Sequence, residues 1–372
     1  MKDFPMIRSV KAGVIGALVV ALPLPLLSFS PLTGLYAALL GLIVWPMALC
    51  VAGLVCGAAP MALGAAAGVL AFYRLYGAQG ALLSAVYAGL VLLTFAAVIR
   101  LRVPFFKACA AEILAHLAAL CVIYLLLQRR TGGELYAAAG EAAADALKNW
   151  ELGDALLLQM YQTGLIDLPA ALSENMVRPA LGGYALSAPA RADMLLSVRG
   201  LVSSALSTLA PGLMVSQSIL GGVLCLLLPL RFGFLAAERR AFQAEGAPET
   251  AQGKPDFPDL GMPPFSLWHL PRGIGWQVGA ALAAGWALER LGSAPAAVLA
   301  GTILYAAASA VFILQGAALL NFMQKSRGAR RFWRVLAPLL LQALGLLLYI
   351  GIFDQIVNIR GLRQPRKPKE EE

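Results

Sequence analysis

Residues 104–127 read PFFKACAAEILAHLAALCVIYLLL, and this stretch decides the class of fold. A helix needs about 20 predominantly apolar residues to cross the hydrocarbon core of a bilayer, and this run is long enough. A strand of a membrane barrel would instead alternate apolar and polar residues, and this run does not. The run therefore predicts a membrane-spanning helix that carries Glu112 and His116 in its interior.

Similar apolar runs recur along the whole chain. Of its 372 residues, 60% are hydrophobic and 13% are charged, whereas a soluble domain carries about 25% charged residues. Residues 35–72 contain Pro46 and Pro60 and fit two short crossings better than one helix. The other runs lie near residues 12–29, 80–99, 104–127, 199–229, 273–290, 293–320 and 333–357. We therefore predict an all-α fold, a polytopic transmembrane helix bundle of about nine helices.

Basic residues at the ends of these runs predict the orientation. The net charge of +9 is spread over short clusters rather than one basic face, which argues against nucleic-acid binding. Clusters within residues 2–11, 100–107, 231–240 and 325–334 fit the cytoplasmic side of a membrane, so we place the N-terminus in the cytoplasm. The acidic loop 131–192 is then external. Arg129 and Arg130 would then lie at the outer end of their helix, and nine crossings would place the basic tail outside the cell. Both placements conflict with the rule for basic residues, so the side of the tail stays open.

The distribution of loops predicts the domain organisation. We expect a six-helix membrane core at residues 1–230, whose external loop 131–192 contains helix-forming sequence at 134–150 and 156–176. Residues 231–272 start with a charged helical stretch and then become rich in Pro and Gly, which indicates a cytoplasmic linker. A three-helix C-terminal membrane unit at 273–357 and a charged tail at 358–372 complete the chain.

No familiar catalytic or cofactor motif is present. The only Gly-Lys pair, Gly253-Lys254, is followed by Pro255, so the chain has no phosphate-binding P-loop. H-E-x-x-H and G-x-S-x-G are also absent from the sequence. The five cysteines lack zinc-site spacing, and we interpret them as small buried hydrophobic residues: Cys50, Cys56, Cys109, Cys121 and Cys225. We therefore expect no enzyme activity, no metal site and no cofactor.

Glu112 and His116 are the first candidates for a binding site. A charged side chain in mid-membrane costs about 2.5–3.5 kcal/mol on insertion scales, so such a residue suggests function. The two residues are four apart on one helix and share a face. They either hold a proton or polar ligand, or neutralise each other inside the bundle with Lys107 compensating Glu112. An intramembrane enzyme built on them is the least favoured hypothesis, because a nucleophile is missing.

Four further residues are candidates by position. Ser216 and Gln217 follow Pro211-Gly212, where a proline frees a backbone carbonyl and a broken helix can line a cavity. Helix-to-helix hydrogen bonds explain the same two side chains without a ligand. Tyr87 and Tyr124 lie in the outer halves of their runs, where aromatic residues are common.

Small residues recur at a spacing of four and predict close helix contacts. Ala17 and Ala21 share a face of the first run, and Gly275 and Gly279 share a face of the seventh. Such faces usually pack against another helix of the same chain, although they also fit a partner helix.

Three segments carry a family resemblance: FSLWHLP at 265–271, LLNFMQKSRGARRFW at 319–333 and GIFDQ at 351–355. With residues 205–222, they resemble the YybS-like family of bacterial membrane proteins of unknown function. That family is grouped with the substrate-binding S-components of energy-coupling factor transporters. The resemblance implies that residues 1–230 form an S-component-like core. It also implies that Ala17 and Ala21 match the A-x-x-x-A face that docks a transmembrane coupling subunit with separate ATPases.

Two functions compete on these observations. The leading hypothesis is a bacterial inner-membrane protein that binds an unknown small solute for uptake. Its site would be drawn from Glu112, His116, Ser216, Gln217, Tyr87 and Tyr124. The alternative is a non-transporting membrane scaffold or assembly factor whose loops and basic clusters hold proteins or anionic lipid. Ligand-induced thermal stabilisation separates the two.

Overall fold

A computed structural model describes residues 45–55, 57–173, 176–180, 183–244, 260–326, 328, 337–338, 341 and 345–361. Several predicted features lie outside these residues. They include the first apolar run with Ala17 and Ala21, the middle of the linker, much of the first half of the run at 333–357, and most of the charged tail.

The described chain is helical apart from one short hairpin. Two helices, α1 (Trp45–Val55) and α2 (Ala58–Arg74), are followed by α3 (Gly77–Arg100) and α4 (Phe105–Arg130). Then come α5 (Leu135–Lys148), α6 (Gly153–Gln162) and α7 (Ala170–Ser173). Strands β1 (Val177–Ala180) and β2 (Gly183–Leu186) precede α8 (Ala188–Ala244). A short 3-10 turn (Phe265–Leu267) leads to α9 (Arg272–Leu291), α10 (Pro295–Ser326) and α11 (Leu346–Val357).

Four of these helices are long and apolar enough to cross a membrane. They are Gly77–Arg100, Phe105–Arg130, Ala188–Arg231 and Pro295–Ser326. The predicted run at 273–290 does form a helix, α9, but this helix is not among the four. Its charged ends and its glycines lower its hydropathy. Within residues 45–72 the predicted split is seen as the separate helices α1 and α2, which flank Gly57 at φ +99°; neither is among the four, so two crossings there stay a prediction.

The helical prediction needs two corrections. Strands β1 and β2 pair antiparallel, with Val177 opposite Leu186 and Ala180 opposite Gly183, where the sequence suggested no strand. Helix α8 runs without interruption through Pro211, where we expected a broken helix. The missing proline N–H removes one hydrogen bond, but the turns on both sides keep the helical backbone continuous.

The chain folds into two compact units. Unit 1 comprises Met1–Leu92, Ala118–Ala210 and Leu228–Gly233, and unit 2 comprises Leu93–Leu117, Pro211–Leu227 and Phe234–Glu372. The predicted domain boundaries at residues 230 and 272 stay a prediction.

Unit 1 contains a small hydrophobic core under the predicted external loop. Buried side chains from α5, α6, the segment after α6 and the start of α8 meet there: Leu147, Leu157, Ile166, Met194 and Val198. Fully burying such a side chain contributes about 1.5–3 kcal/mol. Ion pairs Arg191–Asp154 (2.7 Å) and Arg199–Glu141 (2.6 Å) connect α8 to the two loop helices. The helix-forming stretches predicted in this loop therefore do contain helices, α5 and α6.

In unit 2, glycines at the helix contacts allow neighbouring helices to pack closely. A Cβ at Gly285 of α9 would lie 2.5 Å from the Tyr305 backbone nitrogen of α10. Between α10 and α11, a Cβ at Gly316 would meet the Leu347 carbonyl, and one at Gly351 would meet the Phe312 carbonyl. Because glycine has no side chain, these backbones approach more closely than larger residues allow.

Candidate functional site

Glu112, His116 and Cys225 form a buried polar cluster in unit 2. Glu112 and His116 lie one turn apart on α4, and Cys225 lies on α8; all three are fully buried. The His116 Nδ1 atom lies 2.8 Å from the Glu112 backbone oxygen and 3.8 Å from Glu112 Oε2. On the other side of the ring, His116 Nε2 lies 3.6 Å from Cys225 Sγ. The structure thus brings the two predicted residues together and adds a thiol.

The contacts of the ring indicate where its proton sits. A carbonyl oxygen only accepts hydrogen bonds, so His116 Nδ1 must be the donor to Glu112 O. In a neutral imidazole the other nitrogen, Nε2, is then an acceptor, and the Cys225 S–H can donate to it. The thiol and the imidazole therefore form a hydrogen-bonded pair, whereas the Glu112 carboxyl group lies 3.8 Å from the ring without a hydrogen bond to it.

Two adjacent glycines explain why α4 and α8 come close enough for these contacts. A Cβ at Gly222 would lie 2.6 Å from the Ile113 backbone nitrogen, and one at Gly221 would lie 2.9 Å from His116 Cδ2. Any larger residue would push the helices apart at the level of the cluster. Cys225 follows Gly221 by four residues, so the two share a helix face.

The Glu112 carboxyl group is incompletely satisfied. Both of its oxygens are buried and have no hydrogen-bond partner within the part of the chain that the structure describes. Lys107, the cation offered by the sequence, is exposed and five residues away on α4, so it faces another direction. A buried polar group without a partner costs about 1–3 kcal/mol or more. The site can therefore accept a hydrogen-bond donor, a cation or a proton.

The remaining predicted site residues are divided between the units. In unit 2, Ser216 donates to the Leu213 carbonyl at 3.1 Å, and Gln217 Nε2 is buried without a hydrogen-bond partner among the described residues. Gln217 and Gly221 are four apart on α8, so Gln217 shares the face that carries Cys225. In unit 1, Tyr87 is fully buried on α3, and Tyr124 accepts a 3.5 Å hydrogen bond from Tyr136. Their role in ligand binding stays a prediction.

A second polar cluster in unit 2 was not among the predicted sites. Asp354 Oδ2 accepts hydrogen bonds from Arg360 (2.6 Å) and from Gln315 (3.2 Å), and His269 Nε2 lies 3.9 Å from it. Arg360 also donates to the Ser266 carbonyl at 2.7 Å. Two of the segments that carry the family resemblance, 265–271 and 351–355, therefore meet at this cluster. No group of three or more metal-binding side chains occurs among the described residues.

Two cavities lie beside this second cluster. One of about 440 Å³ is lined by apolar residues of α9, α10 and α11 together with Gln355, and one of about 780 Å³ is lined by residues that include His269 and Arg272. No pattern in the sequence indicated them. The Gly275 and Gly279 pair predicted a close helix contact, and this holds at Gly275, which packs against Gln355, but not at Gly279, where a Cβ would meet nothing within 4 Å.

Comparison of the chain with protein-family models, curated proteins and solved structures finds no match. The resemblance to the YybS-like family therefore stays a prediction.

Proposed function

We propose that this chain is a multi-pass protein of the bacterial inner membrane that binds a small polar solute through Glu112 and His116. Four helices with the length and hydropathy of membrane spans support the membrane location. The proposal includes an S-component-like core, as the YybS-like resemblance implies, and uptake with a separate coupling subunit and ATPases.

One observation carries the proposal: a fully buried carboxyl group whose oxygens have no hydrogen-bond partner among the residues described, on one of these apolar helices. Such a group is expensive inside a membrane, so it is retained where it serves a substrate, an ion or a proton. His116 and Cys225 hold the site in one geometry through the ring contacts at 2.8 and 3.6 Å. The expected solute carries a cationic or hydrogen-bond-donating group of small size.

A second candidate function, a non-transporting scaffold, is favoured by a different observation. The segment from α5 to the start of α8 folds over its own buried core and carries two ion pairs on its surface. A folded layer of this kind offers a surface for another protein. It does not need the Glu112 cluster, so the two functions predict different effects of changing that residue.

Thermal stabilisation of the purified protein tests the proposal. We would screen vitamins, nucleobases and metal ions, since a solute at about one hundred times its dissociation constant stabilises a fold by about 2.7 kcal/mol. A compound that raises the melting temperature of the wild-type protein but not of Glu112→Gln supports solute binding at this site. Glu141→Gln, which alters an exposed carboxylate, is the matched control. No stabilisation by any compound would favour the scaffold.

A further inference from the structure

The two cavities of unit 2 form one groove along α9. Both are lined by Trp276 and Ile356, so the larger cavity continues into the smaller one. These two side chains are each 62% exposed, which is unusual for large apolar residues that flank a cavity.

The larger cavity has a polar and positively charged lining. His269, Arg272 and Asn358 line it, and none of its described lining residues is acidic; Asp354 lies behind His269, at 3.9 Å. Asp354 is already engaged by Arg360, which leaves Arg272 as an exposed cation at the entrance. The segment that carries His269 is fixed by neighbouring contacts: Trp268 donates to the Pro263 carbonyl at 3.0 Å, and its ring lies against Phe105 and Phe265.

The smaller cavity is an apolar channel. Gly275 packs against the Gln355 amide, whereas a Cβ at Gly279 would have no atom within 4 Å, so the floor of the channel is open at Gly279. Leu282, Phe312 and Ile352 complete an apolar wall. From Arg272 to Leu282 the groove follows α9 for about 15 Å at 1.5 Å per residue. That is half of the roughly 30 Å hydrocarbon thickness of a bilayer, or one leaflet.

We propose that this groove is a binding site for an anionic phospholipid. The phosphate would lie at Arg272 and His269, and one acyl chain would lie along Gly279 toward Leu282. Charge complementarity favours an anionic over a zwitterionic headgroup, and the length of the channel matches a chain from a single leaflet. The inference rests on the membrane location in the proposed function, but not on solute binding at Glu112.

Native mass spectrometry of the purified full-length protein tests this site. We would titrate phosphatidylglycerol and phosphatidylcholine of identical acyl chains and compare the bound fractions. The wild type should prefer phosphatidylglycerol. Arg272→Gln should reduce phosphatidylglycerol binding about five-fold, because one cationic contact is lost. Arg290→Gln, a change at the opposite end of α9, should leave the preference intact.

A second variant tests the channel rather than the charge. Gly279→Leu should weaken binding of both lipids because its side chain fills the path of the acyl chain. Gly89→Leu on α3 is the matched control, since a Cβ there also meets nothing within 4 Å. Wild-type lipid binding in either Arg272→Gln or Gly279→Leu would overturn the proposal. A wild-type dimer that dissociates in Gly279→Leu would also overturn it, because the groove would then hold a helix of a second copy.

Two controls separate this inference from the proposed function. Extraction of the protein from membranes by alkaline carbonate would contradict the membrane location, and the lipid site with it. If the protein stays in the membrane and keeps its solute-induced stabilisation, but Arg272→Gln shows no loss of lipid, the lipid site alone is wrong.

Discussion

Two buried carboxyl groups in unit 2 differ in their surroundings. Asp354 pairs with Arg360 at 2.6 Å and also accepts a hydrogen bond from Gln315. The Glu112 carboxyl group lies 3.8 Å from the His116 ring, and its oxygens accept no hydrogen bond among the residues that the structure describes. A paired buried carboxylate is costly to disturb because its partner is left uncompensated. The Glu112 carboxyl group, in contrast, retains capacity for a further partner.

The interaction between Glu112 and His116 can be measured by a double-mutant cycle. Glu112→Gln, His116→Gln and the double variant should show a coupling free energy of about 0.5–3 kcal/mol in thermal or denaturant unfolding, because the side chains share one buried site. Coupling near zero would mean that the two side chains do not interact. If the pair only neutralises itself, Glu112→Gln should leave solute-induced stabilisation unchanged.

Tyr136, on the loop helix α5, provides a pH-dependent signal. Burial, then the hydrogen bond to Tyr124 and the charge of Tyr124, raise the pKa of Tyr136 from 10.0 to about 12. The folded state therefore favours the neutral phenol. This contribution to stability is fully present below pH 10 and is lost as the pH rises through about 12.

Tyr124→Phe should lower the pKa of Tyr136 but leave it above its ordinary value, because burial remains the largest cause. Titration of phenolate absorbance measures the change, and Tyr136→Phe identifies the signal of this residue. An unchanged pKa in Tyr124→Phe would rule out the tyrosine contact.

The sequence predicted the parts of the site that depend on local spacing. Glu112 and His116 are one helical turn apart, so their shared face follows from helix geometry. Cys225 is 109 residues away from His116, and the sequence suggested only a small buried hydrophobic residue. Its contact with the ring depends on how α4 packs against α8. A single sequence does not show which residues of these two helices face each other.

Among the helices and strands, hydropathy predicted the long helices well and the short structures poorly. The runs at 80–99, 104–127 and 293–320 correspond to α3, α4 and α10. The hairpin of β1 and β2 was missed because four-residue strands have too few residues for a period to be recognised. The helical continuity through Pro211 was also missed, since packing can override a local preference against helix.

The contact of α4 with α8 makes a prediction about glycine. Gly222→Ala should destabilise the protein by about 1–3 kcal/mol, because the new methyl group meets the Ile113 backbone nitrogen, which cannot move like a side chain. Gly200→Ala on the same helix, where a Cβ meets nothing within 4 Å, should be neutral or stabilising by up to about 1 kcal/mol. Melting temperatures compare the two. Equal melting temperatures would show that α4 and α8 are not in close contact at Gly222.

For the molecule as a whole, the length of α8 constrains the topology. Its apolar segment Ala188–Arg231 has 44 residues and spans about 66 Å, roughly twice the hydrocarbon thickness. The first turns of this segment carry Arg191 and Arg199, which pair with acidic residues of the loop helices. These turns therefore pack with the loop helices in a polar layer, and under the proposed membrane location the later turns would supply the span.

The predicted orientation places this polar layer outside the cell and the end of α10 in the cytoplasm. Single cysteines in a background without the native cysteines test it at two exposed positions, Gln162→Cys at the end of α6 and Ser326→Cys at the end of α10. An impermeant thiol reagent should label Gln162→Cys in intact cells and Ser326→Cys only after permeabilisation, because Lys and Arg clusters such as that at 325–334 stay in the cytoplasm. Labelling of both positions in intact cells would contradict the crossing count between them, and the reverse pattern would invert the whole topology.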